Sequence, residues 1–544
     1  MDDHRGSGEH EVGVGQPHRE QGASLLPGRA RARAATRPWP RRLTPRLVLA
    51  GTLSAFACTS SSSGPAPAAA PREPITLTIG VPQSRQIDPN HGAPVLANNL
   101  AFERLTTSDA EGRTQPRLLE GWSVSGDGLT WRLLVRPGVK FQDGSPLTAH
   151  DIKRTFDEVI ADPNSRNLRV CLPNVASIVA ASDREAVFTL TRRCSYLLDD
   201  LDRAISRSSA DGASTVGTGA FAITSSSDEE VRLEANRHYH AGPLAIDRIV
   251  VRPFDTLRTA WAGMMRGQVD FLWEVGPESA EFLSDRTAVE VRSFLGFYAY
   301  ALMLNSARPP FESPDVRRAF DMAVNRAAIV QQALRGRGVA ADGPVWPNYW
   351  ARDPRAPAAA FDPAGASALL RAARQGPAEF TCLVPANFSI LERMALLVQQ
   401  QLGEINVRMR LESLPLDAFN RRILSGQFDA VMISVLGGPY PTIFHRFWHS
   451  AGETKRWNFW GYHSARVDEA LDSALEAGSE QEFREAIRRF EVAVRDDPPA
   501  VFLAWNQTVQ AVSRRYIVPA EGAGRDAIYV LNRWQLRQPG RPAR

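Results

Sequence analysis

The residues able to do chemistry are few, and their spacing decides which chemistries remain. His445 and His449 stand four apart, the spacing that puts two side chains on one helix face, and His238 and His240 stand two apart, as on one face of a strand. Surface or hydrogen-bonded histidines are the simpler reading of both pairs, with His445 kept as a weak metal candidate. No CxxC or Cys/His cluster suggests zinc. Beyond Cys58 the chain holds Cys171, Cys194 and Cys382. In an oxidising compartment Cys171 and Cys194 can pair, and three buried free thiols are the alternative. Gly217-Thr218-Gly219 with Ala222 fits a bare G-x-G-x-x-A, but strand-like residues follow it, so a tight strand entry is favoured over a dinucleotide loop. GxSxG, HExxH and Walker A segments are absent. The chain therefore reads as a protein that binds without catalysing, and no cofactor is expected.

The elements that must position these residues follow a mixed α/β pattern from Ile75 onward. In Asp127 to Asp151, Leu129, Trp131, Leu133 and Val135 alternate as a half-buried strand. Pro137-Gly138 predicts a turn, Val139 to Phe141 a short return strand, and Asp143-Gly144 a second turn. Thr148 and Asp151 make a capping box for a helix burying Ile152, Phe156 and Val159. Further on, Ser313-Pro314 opens a helix with Val316, Ala319, Phe320 and Ala323 inward. Ser389 and Glu392 predict another capping box, and Gly403 the stop of that helix. Val407, Met409 and Leu411 alternate as a strand, and a helix follows over about 417–425. Phe428 to Val435 is a nearly continuous apolar run, the mark of a strand buried on both faces. It ends in Leu436-Gly437-Gly438-Pro439-Tyr440-Pro441. Ligands of open α/β sheets sit beyond the carboxyl ends of strands, so this loop is the pocket candidate, with Tyr440 foremost.

The chain has 544 residues, 43% of them hydrophobic and 23% charged, enough for two lobes or three subdomains. Its formal charge of +4 lies within the first fifty residues, so no basic nucleic-acid-binding face is indicated. Arg41 to Arg46, the apolar run Leu47 to Ala57 and Cys58 read as an export signal too short to span a membrane. Leu53 to Cys58 resembles a bacterial lipoprotein box, with Cys58 as the lipidation site and plain cleavage as the alternative. Thr59 to Pro71 reads as a flexible tether.

Several spaced motifs together resemble the family 5 (oligopeptide/dipeptide/nickel type) extracellular solute-binding proteins of ABC importers. They run in order over about Ile75 to Val518. The segment Asp127 to Asp151 is joined by Asp88-Pro89, Pro116 to Trp122, Val216 to Phe221, Asn236 to Tyr239, Gly267 to Asp270 and Asn305 to Arg326. The resemblance implies an α/β, two-lobed periplasmic-binding-protein-like fold (class II) with an extra subdomain in lobe I. The expected division is leader 1–58, linker 59–74, lobe I 75–292 with the subdomain at about 104–215, lobe II 293–507, a lobe I return at 508–536, and tail 537–544.

The implied role is an extracytoplasmic receptor that captures a peptide or peptide-like solute between the lobes. It would deliver that solute to ABC permease subunits with a cytoplasmic ATPase, acting as a lipid-anchored periplasmic monomer with no nucleic-acid partner. The alternatives are a metal chelate or other non-peptide solute, a sensor-associated module, and an envelope enzyme. Segments facing the cleft in relatives carry Trp273, Glu274, Tyr298, Tyr300, Asn305, Tyr440, Trp448 and Trp457, besides Gly437, Gly438 and Pro439. Peptide-binding relatives use an Asp in the loop after the buried strand to pair with the ligand's ammonium. Here that loop has no acid, and Glu274 is a candidate substitute.

Overall fold

The computed structural model describes residues 73–82, 92–166, 169–208, 215–276, 288–355, 360–373, 379–450, 457–520 and 524–537. The leader with Cys58, the tether to residue 72, Asp88-Pro89 and the tail from 538 lie outside the described residues.

Strand β1 (Thr76–Pro82) buries Leu77, Ile79 and Val81 by simple alternation, and α1 (Ala93–Ala101) follows. β2 (Leu119–Val124) and β3 (Thr130–Val135) form the hairpin read from the sequence, with Trp131, Leu133 and Val135 inward. Val139 to Phe141 does not become a strand. The Asp143-Gly144 turn is so tight that only the bridge between Lys140 and Pro146 forms. In α2 (Ala149–Ala161) the Asp151 carboxylate accepts the Thr148 backbone N–H at 3.0 Å, as the capping-box reading requires. β4 (Val175–Ser182) and β5 (Glu185–Leu190) complete an antiparallel sheet in the order β2-β3-β5-β4, and the short α3 (Leu197–Asp200) follows. Cys171 and Cys194 are disulfide-bonded, with Cα atoms 5.7 Å apart, and Cys382 is a buried free thiol.

Next come β6 (Phe221–Ser226), β7 (Val231–Ala235), β8 (Arg248–Phe254), β9 (Phe271–Val275) and β10 (Val289–Leu304). Cβ atoms on Gly217 and Gly219 would lie 2.3 Å from the carbonyl oxygens of Ala101 and Leu100, so these glycines admit α1 against the entry to β6. That is packing, not a phosphate cradle. His238 and His240 sit in a turn after β7 rather than on a strand, because Asn236 Oδ1 accepts the His238 N–H at 2.9 Å and bends the chain.

Further elements include α4 (Pro314–Ala323), β11 (Glu379–Pro385), α5 (Ser389–Glu404), β12 (Arg408–Leu414), β13 (Ala430–Leu436), α6 (Pro441–Trp448), α7 (Ala465–Glu476), α8 (Glu480–Asp496) and β14 (Ala500–Ser513), and the helix expected over about 417–425 spans Leu416–Leu424. α5 departs from expectation at both ends. Ser389 is already helical behind Phe388, which caps through its backbone only, and the helix passes Gly403 to stop at Asn406, φ 61°. Asparagine reaches the left-handed region at low cost, so it can serve as the stop.

An eleven-stranded sheet runs β6-β7-β8-β1-β9-β14-β10-β13-β11-β12, with Gly338–Ala340 pairing β14 off this path. β10 and β14 are 16 and 14 residues long and pass through both lobes. Their antiparallel register is interrupted between Leu295 and Ala299. The apolar cores divide unevenly. Leu77, Phe221, Ile249, Phe271 and Trp534 form a lobe I core of their own. The four-stranded subdomain instead shares a core with lobe II, joining Phe156 and Phe188 to Phe444, Phe490 and Trp505.

Candidate functional site

β13 is a central strand, and its carboxyl end releases the chain into Gly437 to Tyr440 before Pro441 starts α6. The Gly437 N–H donates to Phe297 O at 2.9 Å. A Cβ there would lie 2.6 Å from the Trp505 ring, and Gly438 has φ +76°. Facing this loop from the subdomain is Gly112, also at φ +76°, where a Cβ would fall 2.1 Å from Pro439. Only glycine lets the two segments meet so closely.

Tyr440 is fully buried, with its ring edge-on to Phe297 at 5.3 Å. Its hydroxyl has no hydrogen-bond partner among the described residues. Burial pushes that phenol well above the usual range; Tyr529, Asp202 and Tyr298 reinforce the shift and Arg104 opposes it. Arg104 and Asp202 form an ion pair at 2.6 Å, with only 4% of the Asp202 side chain exposed. A buried unpaired hydroxyl costs about 1–3 kcal/mol. Such an atom, within electrostatic reach of an ion pair whose carboxylate is buried, is suited to a polar guest.

The other predicted residues scatter more widely. Tyr298 is half-buried and packs with Phe297 beside Tyr440. Tyr300 joins the lobe II core; burial and then Glu274 push its hydroxyl upward, against the pull of Arg393, so Glu274 and Tyr300 lie within electrostatic reach across the lobes. Trp273 Nε1 donates to Asp526 at 2.8 Å, within lobe I. Trp457 is half-buried near Phe447. Two residues belong elsewhere. Asn305 sits at the far end of β10, where its carboxamide donates to Phe428 O at 2.8 Å. Trp448 is enclosed by Trp460 and Phe502 in the core.

Sequence reading missed Arg104, Asp202, Tyr529 and Gly112. Only three of the 64 basic residues are Lys, so no single Arg stands out, and Asp202 is distant in sequence from the loop it faces. It also missed a cavity of about 550 Å³ on the subdomain side of Pro441, whose lining includes Trp131, Arg193, Tyr196, Trp350, Glu480 and Phe483. Its size is that of a small-molecule site. Trp350 lies between the Arg113 and Arg484 guanidiniums, 4.3 and 4.9 Å from its ring centre, and stacks on Phe483. Behind the loop, burial, then His449 and Arg192, lower the pKa of His445 to about 3, so its imidazole is neutral.

A two-lobed sheet with twin crossings, and a glycine-rich loop at its carboxyl edge closed by an inserted subdomain, matches a known pattern. Residues 113–455 match the bacterial extracellular solute-binding proteins, family 5. The chain belongs to this family. The glutathione-binding protein GsiB of Salmonella typhimurium is 27% identical over 344 residues, which is 60% of this chain and 67% of that protein. The structure of NikZ from Campylobacter jejuni in complex with Ni(L-His) superposes with a TM-score of 0.70 at 22% identity, covering 85% of this chain and 99% of NikZ. The oligopeptide-binding protein AppA of Bacillus subtilis, in complex with a nonapeptide, gives 0.70 at 19% identity, over 86% of this chain and all of AppA (100%). As a family 5 protein of ABC import systems, the chain has a solute-binding role outside the cytoplasm.

Proposed function

We propose that this receptor captures a peptide or peptide-like solute in the seam between the lobes and passes it unaltered to an ABC permease with its ATPase. In this reading a lipid on Cys58 holds a monomer at the membrane. The observation that carries the ligand class is the unpaired Tyr440 hydroxyl beside the Arg104–Asp202 pair. A peptide is a zwitterion. Asp202 supplies the acid that the loop lacks and receives the ammonium, Arg104 receives an anionic group, and Tyr440 donates to a carbonyl. The names of GsiB and AppA, a glutathione and an oligopeptide binder, support the class. Contact with both lobes makes the closed form the preferred one once solute is bound.

Native mass spectrometry of protein purified without refolding identifies the carried solute, and calorimetric titration then compares free with N-acetylated peptides. Asp202→Asn is expected to weaken binding of free amino termini by about 10- to 100-fold, the worth of a charged hydrogen bond, and to spare acetylated ones. Equal loss for both, or retention of a nickel chelate alone, would overturn the peptide reading.

A further inference from the structure

Away from the seam, the last turn of α6 meets α7 at a cluster that solute capture does not use. Ligand atoms of His445, His449 and Asp472 all lie within 4.8 Å of one another. The His449 N–H donates to His445 O at 3.2 Å, and the two rings stack at 4.4 Å with planes 20° apart. One turn of helix thus puts both imidazoles on the same face. His445 is buried, and its Nδ1 has no hydrogen-bond partner among the described residues. His449 Nε2 lies 3.3 Å from Asp472 Oδ1, while its Nδ1 faces Asp468 Oδ1 at 3.9 Å. Asp468 is itself held by the Ser450 N–H at 2.8 Å.

This is the chemistry of a metal site. Asp468, 3.9 Å from the far nitrogen of His449, favours the tautomer whose other nitrogen presents its lone pair to an ion. Two imidazoles and a carboxylate suit zinc, nickel or cobalt, and the exposed Asp472 leaves room for water as a fourth ligand. Asp468 and Asp472 outnumber Arg192, and the carboxyl end of a helix favours cations.

We infer that His445, His449 and Asp472 hold a resident divalent transition-metal ion that staples α6 to α7. The site is distinct from the interlobe seam, and α6 is the helix that carries the Gly437 to Tyr440 loop at its start. A bound ion therefore anchors the far end of the element on which the loop is mounted.

Zinc alone is the probe. Full-length protein stripped with EDTA and dialysed against zinc in a non-coordinating buffer is expected to take up about one ion per chain and to melt at a higher temperature. Asp472→Asn, at an exposed position, keeps the metal-free melting temperature and lowers zinc affinity at least about 100-fold, as does His449→Gln. Asp468→Asn, one shell out, costs about 10-fold. Tyr440→Ala leaves zinc binding unchanged, which separates this ion from any metal chelate in the seam. Absence of stoichiometric zinc, or zinc binding that survives both Asp472→Asn and His449→Gln, would overturn the inference and leave a stacked imidazole pair beside two carboxylates.

Discussion

The inserted subdomain meets its two neighbours in opposite ways. Towards the lobe I sheet the contact is polar and directional. Glu103, just before the subdomain, accepts from Arg117 at 2.8 Å and Tyr239 at 3.1 Å, and lies 3.1 Å from His240 Nε2. The Gln142 carboxamide bridges the carbonyls of Ala101 and Phe221 and accepts the Gly217 N–H. Towards lobe II, Tyr196 packs on Phe483 and Arg113 lies over Trp350, a few hydrogen bonds reach helix-end carbonyls (Ser195 to Ala474, Tyr196 to Leu471), and the contact borders the 550 Å³ cavity. A buried hydrogen-bonded network tolerates one geometry, because separating it strands charges. A face that borders an unfilled cavity separates at less cost there. The contact expected to part when the receptor opens is the one bordering the cavity, with the subdomain keeping its polar network to lobe I.

Breaking the polar side should have the largest effect. Glu103→Gln leaves the half-buried Arg117 without its charged partner and is expected to cost about 3 kcal/mol, read as a drop in chemical denaturation midpoint. The same carboxyl makes this contact sensitive to pH. Burial opposes its ionisation, but Arg117 and His240 prevail and hold its pKa at about 2 against an ordinary 4.5. A lowered acid stabilises the fold above its unfolded pKa, so roughly 3 kcal/mol is present above pH 4.5 and is lost as pH falls through about 2. Acid titration of stability should show this loss in the parent protein and lack it in Glu103→Gln.

Reduction of the Cys171–Cys194 bond, which closes 23 residues, should lower stability by about 3 kcal/mol without altering solute affinity. Trp350→Ala acts on the lobe II side, where it removes the ring beneath Arg113 at the cavity. It should change the melting temperature less than Glu103→Gln does while weakening solute binding by about 10-fold, because it penalises only the closed form. If Trp350→Ala proves the more destabilising of the two, the assignment of rigid and opening contacts is reversed.

Much of this architecture is legible in the sequence, and its failures have physical causes. The alternation in β3, the Thr148–Asp151 box and the apolar run of β13 are local signals, and all three correspond to the elements observed. Asn406 displaced Gly403 as a helix stop because asparagine also tolerates positive φ. The short strand after Pro137 failed because a strand needs a partner long enough to pair, which local pattern does not report. The seam was half legible. Its loop follows from strand polarity, whereas Arg104, Asp202 and Gly112 reach it only through the tertiary fold, and Asn305 and Trp448 carry motif and aromatic signals that the fold spends on bracing and core.

Small-angle scattering of the solute-free and solute-saturated protein tests the clamp most directly. The radius of gyration should fall when the carried solute is restored, with no such fall in Tyr440→Ala. Identical profiles with and without solute in the parent protein would contradict it.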